Sequence, residues 1–454
     1  MILRPYQTKA IDEARALVNA GKAPVIVNSP TGSGKTCIGC ELIRLGAARG
    51  RRALFLCHRQ ELIDQTSAKL AAIGITHGVI KAGIKPTPAA VQIASVQTLA
   101  RREPPPADLV IVDECHHANA GTWARVIAAY PNATVVGLTA TPYRADGRGL
   151  GEVFRSIVTV TDIATLIRDG HLVPPVTYAP PPPDLSKVRI VAGDYSSGGL
   201  TAAMNRPKLV GDIVAHWRKL AADRITVVFA TSIDHSQTIA QRFRDAGIAA
   251  EHVDGESDDR ADILARLAAG TTRVVVNCGI LTEGWDLPSC ACVILARPTK
   301  SRGLWRQMCG RALRPAPGKA DCVILDHAGN THTHGLLTDP DDVSLDGIKR
   351  RAAGPAAPPV KMCPECFAAL PGGTRLCPMC NSDIAPEPKP VAEEAGELRP
   401  VGAAKIPAAA DYLKRAKLAQ LEAVARAKGY KAGWVGYRFK DLFGHWPRPA
   451  DRVA

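Results

Sequence analysis

Between Pro24 and about Asn330, short runs of continuously apolar, largely β-branched residues alternate with stretches of helical character. Val25-Ile26-Val27, Leu54-Phe55-Leu56, Val91–Val96, Leu109–Val112 and Val135–Leu138 form a first group, with a helix expected from Gln60 to Ile73. Ile225–Ala230, Val274–Val276, Val293–Leu295 and Val323–Leu325 form a second group. Runs without polar alternation suit strands buried on both faces, which requires a parallel sheet sandwiched between helices. The rhythm breaks from about Thr161 to Lys208, where a Pro180–Pro183 run and a Gly-Asp-Tyr-Ser-Ser-Gly-Gly stretch read as an irregular connection. The pattern predicts an α/β chain with one lobe over 1–160, a connection over 161–207 and a second lobe over 208–335.

The remainder changes character. An Asp-rich, then Ala/Pro-rich linker is expected over 336–360, a four-cysteine segment over 361–384, an acidic Pro/Ala-rich linker over 385–408 and a basic aromatic tail over 409–454. The formal charge of the 454 residues is +14 with 22% charged residues, so the chain is globular and a polyanionic partner is plausible. No apolar run approaches the 18 or so residues that span a bilayer, and the N-terminus lacks an apolar signal core, so no membrane is expected. Four of the thirteen cysteines cluster and nine are scattered, which argues for a reducing cytoplasm, bacterial or that of a phage-infected host, rather than a secreted disulfide framework.

Ser29-Pro30-Thr31-Gly32-Ser33-Gly34-Lys35-Thr36 lies between an expected strand and an expected helix. Glycines let such a turn wrap phosphate and aim its N–H groups inward; Lys35 supplies charge to the β/γ-phosphates, and the Thr36 hydroxyl can ligate Mg²⁺. Serine at position 29 departs from the strict P-loop pattern, which has glycine there. The strand Leu109–Val112 ends in Asp113 and Glu114, suited to holding Mg²⁺ through water and to polarising the attacking water. In the second lobe, Gln307-Met308-Cys309-Gly310-Arg311-Ala312-Leu313-Arg314 places two arginines three apart on one helical face. Taken alone that segment reads as a basic solvated face; beside a P-loop, arginine can stabilise charge on a transferring phosphoryl group.

Together these segments, over about residues 1–335, resemble the superfamily 2 DExH helicases and translocases, which implies two tandem RecA-like domains with ATP and Mg²⁺ between them. Leu3–Gln7 resembles the Q motif, implying that Gln7 reads adenine. Ser29–Thr36 resembles motif I, with Thr31, Gly32, Ser33, Gly34, Lys35 and Thr36 around the nucleotide, and Asp113–His116 resembles motif II. Thr139-Ala140-Thr141 resembles motif III, which implies coupling by Thr139 and Thr141. Val228-Phe229-Ala230 resembles motif IV, and Gly279–Asp286 resembles motif V, implying Gly284 and Asp286 near γ-phosphate and ribose. Gln307–Arg314 fits motif VI, which implies γ-phosphate contacts from Arg311 and Arg314, with Arg314 as the finger. His58, Arg59 and the Ser95–Leu99 stretch, with Ser95, Gln97 and Thr98, correspond to motifs Ia and Ib, which implies contact with the nucleic-acid backbone. The Arg-Pro-Tyr-Gln start and Thr282-Glu283-Gly284-Trp285-Asp286 look like the RAD25/SSL2-type branch, and the added cysteines look like RadD and related phage-encoded DEAD/DEAH-box helicases. The resemblance implies DNA rather than RNA as the track, a role in repair, recombination or replication, and single-strand-binding or repair and replication proteins as companions.

Cys363-Pro364-Glu365-Cys366 and Cys377-Pro378-Met379-Cys380 are two CxxC knuckles ten residues apart. Four thiolates at that spacing suit one structural Zn²⁺ in a zinc-ribbon-like module, against the alternatives of two disulfides or a redox pair. The other nine cysteines read as small apolar residues, and His327, His332 and His334 as a polar loop rather than a metal site. The last 54 residues carry 11 Lys/Arg, 4 Asp/Glu and seven aromatics. Helices are expected at Lys414–Lys428 and Val435–Phe443. The aromatics read equally as a small helical core or as a surface for stacking bases. Three other activities stay open: a duplex translocase or remodeller, a restriction-system motor subunit, and a nucleic-acid-binding scaffold with an inactive ATPase.

Overall fold

The structure, a computed structural model, describes residues 2–448 apart from 86, 119–120, 145–146, 181–184, 186–187, 192–193, 197–199, 201–203, 205–206, 342, 348–359, 386–408 and 432. Most of the Pro180–Pro183 run, most of the Gly-Asp-Tyr-Ser-Ser-Gly-Gly stretch, the later part of the 336–360 linker and nearly all of the 385–408 linker lie outside the described residues.

The first lobe comprises α1 (Pro5–Asn19), β1 (Val25–Asn28), α2 (Lys35–Ala47), β2 (Ala53–Cys57), α3 (Gln60–Ala72), β3 (Gly78–Ile80), β4 (Val91–Ser95), α4 (Val96–Leu99), β5 (Leu109–Asp113), α5 (Gly121–Ala128), β6 (Thr134–Thr139) and β7 (Ser156–Thr159). Its seven strands run parallel in the order β3-β4-β2-β5-β6-β1-β7. The continuous apolar runs are explained by their neighbours. Val25, Val27, Phe55 and Cys57 pack on one face and Ile26, Leu54 and Leu56 on the other, all fully buried. No residue of these central strands faces water, so no alternation is needed.

The second lobe follows α6 (Ile163–Arg168) and β8 (Pro175–Tyr178). After the short β9 (Ile190–Val191) and β10 (Asp194–Tyr195) come α7 (Pro207–Leu220), β11 (Thr226–Phe229), α8 (Ile233–Asp245), β12 (Ala250–Val253), α9 (Arg260–Ala269), β13 (Val274–Asn277), β14 (Cys292–Leu295), α10 (Arg302–Cys309), β15 (Cys322–Asp326) and α11 (Asn330–His334). Six strands are parallel in the order β12-β13-β11-β14-β15-β8.

Two expectations change here. The connection over 161–207 is not irregular throughout: Ile163, Leu166, Leu172 and Val173 join the second-lobe core, and β8 is an edge strand of its sheet. Proline in its first position and half-buried side chains are what an edge tolerates, and they hide the strand from an apolar-run search. The segment after Gly335 is not a free linker at its start. Asp341 pairs with Arg302 at 3.4 Å and with Arg306, and Arg306 also donates to Asp339 O at 2.7 Å. Further on, Gly151 N donates to Leu345 O at 3.0 Å, so residues 339–341 and 343–347 strap one lobe to the other. Acidic residues that look solvated in sequence are here the partners of arginines on α10.

Beyond the strap, β16 (Val360–Met362) and β17 (Ala369–Pro371) form an antiparallel pair beside the four cysteines. This small module docks on the free edge of β8, where Ala179 N donates to Phe367 O at 2.9 Å and Tyr178 pairs with Ala368. Residues 387–454 form a separate unit. In it, α12 (Ala409–Lys428) starts five residues before the expected helix and α13 (Gly433–Phe443) two before. Leu418, Ala425 and Phe439 are its buried core. Among the described residues no helix is long and apolar enough to cross a membrane.

Candidate active site between the lobes

In both sheets the loops at the carboxyl ends of parallel strands face the cleft, where open α/β sheets bind ligands. From the first lobe β1 leads into the Ser29–Gly34 loop and β5 ends at Asp113. From the second, β13 leads into Gly279–Asp286 and α10 into Arg311 and Arg314. A cavity of about 310 Å³ is lined by Thr31, Gly32, Gly34, Lys35, Thr36, Asp113, Glu114, Gly284, Asp286, Gln307, Arg311 and Arg314 together.

The loop is built for close approach. Gly32 and Gly34 both have φ +85°. A Cβ on Gly34 would lie 2.5 Å from Gln7 Nε2, and one on Gly32 would lie 2.8 Å from a Leu172 methyl. Serine at position 29 finds its reason here: its hydroxyl is fully buried and bonded to the Ser33 hydroxyl, closing the loop on itself. Ser33 O accepts from Gln7 Nε2 at 2.8 Å and from Tyr6 OH at 3.0 Å, while Gln7 Oε1 accepts from Arg4 N at 2.9 Å. Gln7 therefore ties the loop, through its amide nitrogen, to the start of α1, through its amide oxygen, and is not among the residues that line the cavity.

Lys35 Nζ donates to Glu114 Oε1 at 2.6 Å, both side chains being almost buried. Burial would lower the Lys35 pKa, but the facing Glu114 and Asp113 carboxylates outweigh it, so the ammonium is held above its ordinary value. Burial would raise Glu114, yet Lys35 and His116 hold it below the usual carboxylate range. Asp113 is pushed upward by burial and by the adjacent Glu114 charge. A divalent cation brought by a nucleotide would favour its ionised form. The buried Asp113, with Lys35 and Thr36 at the start of α2 and the glycine cradle, therefore fits a Mg²⁺–nucleotide. Glu114 has φ +48°, an uncommon conformation for a non-glycine residue of the kind that clusters at functional sites.

Motif-like threonines connect this site outward. Thr139 Oγ1 accepts from Thr141 N at 3.0 Å and lies 3.2 Å from His116 Nδ1, and His116 Nδ1 lies 3.3 Å from Glu114 Oε2. A Cβ on Gly303 of α10 would lie 2.9 Å from Thr141 Cγ2, and one on Gly310 would lie 2.7 Å from Thr31 Cγ2. Two glycines of the second lobe thus let its arginine helix touch the phosphate loop and Thr141 directly.

The arginines are held differently. Arg311 is buried and donates to Thr282 O at 2.6 Å and to Trp285 O. Arg314 Nη1 pairs with Asp286 at 2.6 Å, and the Asp286 side chain is 49% exposed.

His58 and Arg59 face the cleft between the lobes. His58 Nε2 lies 2.7 Å from Glu283 Oε2, with Arg59, His116 and His117 nitrogens 3.7, 3.8 and 3.9 Å from the same carboxylate. Arg59 also donates to Ile280 O at 2.8 Å. Sequence reasoning did not single out Glu283; an acidic residue inside an expected loop carries no signal until its four partners are assembled. Arg4, Gln65, Lys69 and His171, also missed, line the cavity. Ser95, Gln97 and Thr98 lie elsewhere, at the end of β4 and in α4, where Ser95 Oγ donates to Gln97 Oε1 at 2.9 Å.

Cys363, Cys366, Cys377 and Cys380 bring their sulfurs within 4.8 Å of one another, with two pairs at 3.6 Å. A tetrahedral Zn²⁺ with Zn–S near 2.3 Å needs sulfurs about 3.8 Å apart. The knuckles are twins: Phe367 and Asn381, each four residues after the first cysteine, have φ +61° and +57°. The three histidines expected in a polar loop do not converge and do not share a loop: His327 is buried and stacks on His216, while His332 and His334 lie in α11, His334 Nε2 being 2.9 Å from Thr299 O.

The family described as "Type III restriction enzyme, res subunit" matches residues 1–144, and "Helicase conserved C-terminal domain" matches residues 207–316. The chain belongs to the superfamily 2 ATP-dependent helicases. A 51.5 kDa protein of a Lactococcus phage is 32% identical over 368 residues, 80% of this chain and 79% of that protein. The putative ATP-dependent helicase IRC3 of Saccharomyces cerevisiae is 33% identical over 382 residues, 76% of this chain. This helicase chain matches only 55% of IRC3's length. The fragment structure of a putative HsdR subunit of a type I restriction enzyme from Vibrio vulnificus shares the fold, with TM-score 0.59 at 24% identity, covering 74% of this chain and 66% of that one. ATP hydrolysis coupled to movement on nucleic acid is the activity of the family, and the two RecA-like lobes and the cleft described above are its machinery.

Proposed function

We propose that this helicase moves along DNA, with ATP hydrolysed between the lobes, and that its C-terminal additions bind a structural Zn²⁺ and part of the substrate. The observation that carries the reading is the single cavity joining Lys35, Thr36, Asp113 and Glu114 to Gln307, Arg311 and Arg314 of the opposite lobe. Bound ATP would supply Mg²⁺-linked phosphates to the Gly32–Thr36 cradle, with Thr36 and Asp113 holding the ion. The phosphates would draw Lys35 from Glu114, leaving that carboxylate to orient a water and accept its proton. Arg314 would exchange Asp286 for the γ-phosphate as the lobes close, and the release of phosphate would reverse the exchange. His116 and Glu283 link this exchange to His58 and Arg59, the residues for which a backbone contact is implied by resemblance.

DNA is favoured by the RAD25/SSL2-like motif V, Thr282–Asp286, and by the restriction-enzyme subunit that shares the fold. That second likeness also favours a variant reading, translocation on duplex without strand separation. The cysteine module fits zinc by its sulfur spacing and by the twin knuckle turns; four thiolates leave no open position, so the role is structural. Steady-state ATPase on single-stranded, duplex and forked DNA and on RNA, with strand separation measured in parallel, tests the reading. Stimulation by DNA over RNA is expected. Stimulation by RNA alone would overturn the DNA assignment, and stimulation without unwinding would select the variant.

A further inference from the structure

The tail sorts its aromatic residues by type. Phe439 is fully buried and packs on Phe443 with ring centroids 4.7 Å apart, completing the hairpin core with Leu418 and Ala425. Two tyrosines and one tryptophan are left outside: Tyr430 is 44%, Tyr437 65% and Trp446 47% exposed. Large rings are costly to leave in water unless something covers them. The hairpin core therefore uses the phenylalanines and leaves these three rings at the surface.

Tyr430 and Trp446 stand on the wall of a groove of about 940 Å³ that runs between the end of α12 and the start of α13. Small residues, among them Ala425, Gly433 and Gly436, line it together with Val435 and Pro447. Gly436 is required by the wall itself, since a Cβ there would lie 2.9 Å from the Trp446 ring. Tyr430 is braced by Trp434 at 4.6 Å and Trp446 by Tyr437 at 5.0 Å, so each wall ring is held by a second ring. A groove lined by braced rings and small residues offers a planar aromatic guest a ring face to stack on.

Charge says what the guest carries. Residues 409–448 hold nine Lys/Arg and three Asp/Glu. Asp441 faces Arg438 at 3.9 Å, leaving Glu422 as the acid on the groove, while Arg426 lines it and Lys440 lies 5.1 Å over the Trp446 ring. Planar rings joined by a polyanion describe an unpaired nucleic-acid strand.

We propose that the groove of the α12–α13 hairpin binds unpaired nucleobases, stacking them on Tyr430 and Trp446 with the strand's phosphates beside Arg426 and Lys440. This rests on the nucleic-acid reading above and adds to it a site for the displaced or leading single strand, in a unit distinct from the motor lobes.

The test compares two labelled 20-mers with the full-length protein: one of mixed sequence, and one of abasic residues with the same phosphates. The wild type is expected to bind the base-bearing strand at least 10-fold more tightly. Tyr430→Ala and Trp446→Ala should each reduce that preference about 5- to 100-fold, the range for losing one stacked base. Tyr430→Phe and Trp446→Phe should restore it, which separates stacking from a folding defect. Gly436→Val, which displaces the Trp446 ring without removing it, should act like Trp446→Ala. Equal affinity of the wild type for both strands, or preference unchanged in both alanine variants, would overturn the proposal. So would tighter binding of acidic-phospholipid vesicles or of an oligoglutamate than of the base-bearing strand. An ATPase unaffected by any polynucleotide would instead overturn the reading on which the groove's role rests.

Discussion

The two lobes contribute to one cavity in different physical states. The first presents a closed buried pair, Lys35 with Glu114, whose side chains are 15% and 10% exposed. The second presents Arg314, 17% exposed, on Asp286, a partner 49% exposed and so half in water. Removing one member of a buried pair strands a charge and costs about 3–5 kcal/mol, whereas an exposed pair contributes about 0–1 kcal/mol. The first-lobe pair can be opened only by something that replaces the lost charge, and phosphate does so. The second-lobe pair opens readily and leaves its arginine free to change partner. The site is thus locked on one side and adjustable on the other, as expected of a cleft that works by closing.

Four changes break or sharpen that contrast. Glu114→Gln removes the base while keeping shape, and single-turnover hydrolysis should fall about 100- to 10,000-fold. ATP binding should not weaken, because Lys35 loses its competing carboxylate. Gly310→Val drives a branched side chain into Thr31 of the phosphate loop. Overpacking of that kind costs about 1–3 kcal/mol, so the hydrolysis rate should drop roughly 5- to 150-fold, with Gly310→Ala milder. Glu283→Gln leaves three imidazoles and Arg59 without their shared charge. It should cut the stimulation of ATPase by DNA roughly 10- to 150-fold, since a charge-assisted hydrogen bond contributes about 1.5–3 kcal/mol. A DNA-stimulated rate equal to wild type would remove Glu283 from the coupling path. Asp286→Asn should change hydrolysis by no more than about threefold, because the carboxylate it neutralises is half exposed to water. A loss as large as that of Glu114→Gln would show that the second-lobe side is locked as well.

Much of the architecture is legible in the sequence, and the reason is local. Strands such as Val25–Asn28 and Leu109–Asp113 are buried on both faces, so their composition alone identifies them. The residues lining the cavity at Ser29–Thr36, Asp113–Glu114 and Gln307–Arg314 follow directly from strand and helix ends, where short motifs carry the geometry. What stays hidden depends on distant partners. Strand β8 starts with proline and is only half buried, so it becomes a strand only against β15. Asp339 and Asp341 look like a solvated linker until Arg302 and Arg306 receive them. Glu283 is one more loop acid until His58, Arg59, His116 and His117 of the other lobe surround it. Ser29 looks like a flaw in a motif until its hydroxyl meets Ser33.

The central claim is that the chain hydrolyses ATP only when an arginine from the second lobe reaches a phosphate held by the first. Single-turnover hydrolysis by Arg314→Ala, measured beside ATP affinity on the same preparation, tests it most directly. Affinity within about threefold of wild type is expected, with a hydrolysis rate lower by about 1,000-fold or more, the range for losing an arginine finger. Hydrolysis at the wild-type rate with Arg314 absent would contradict it.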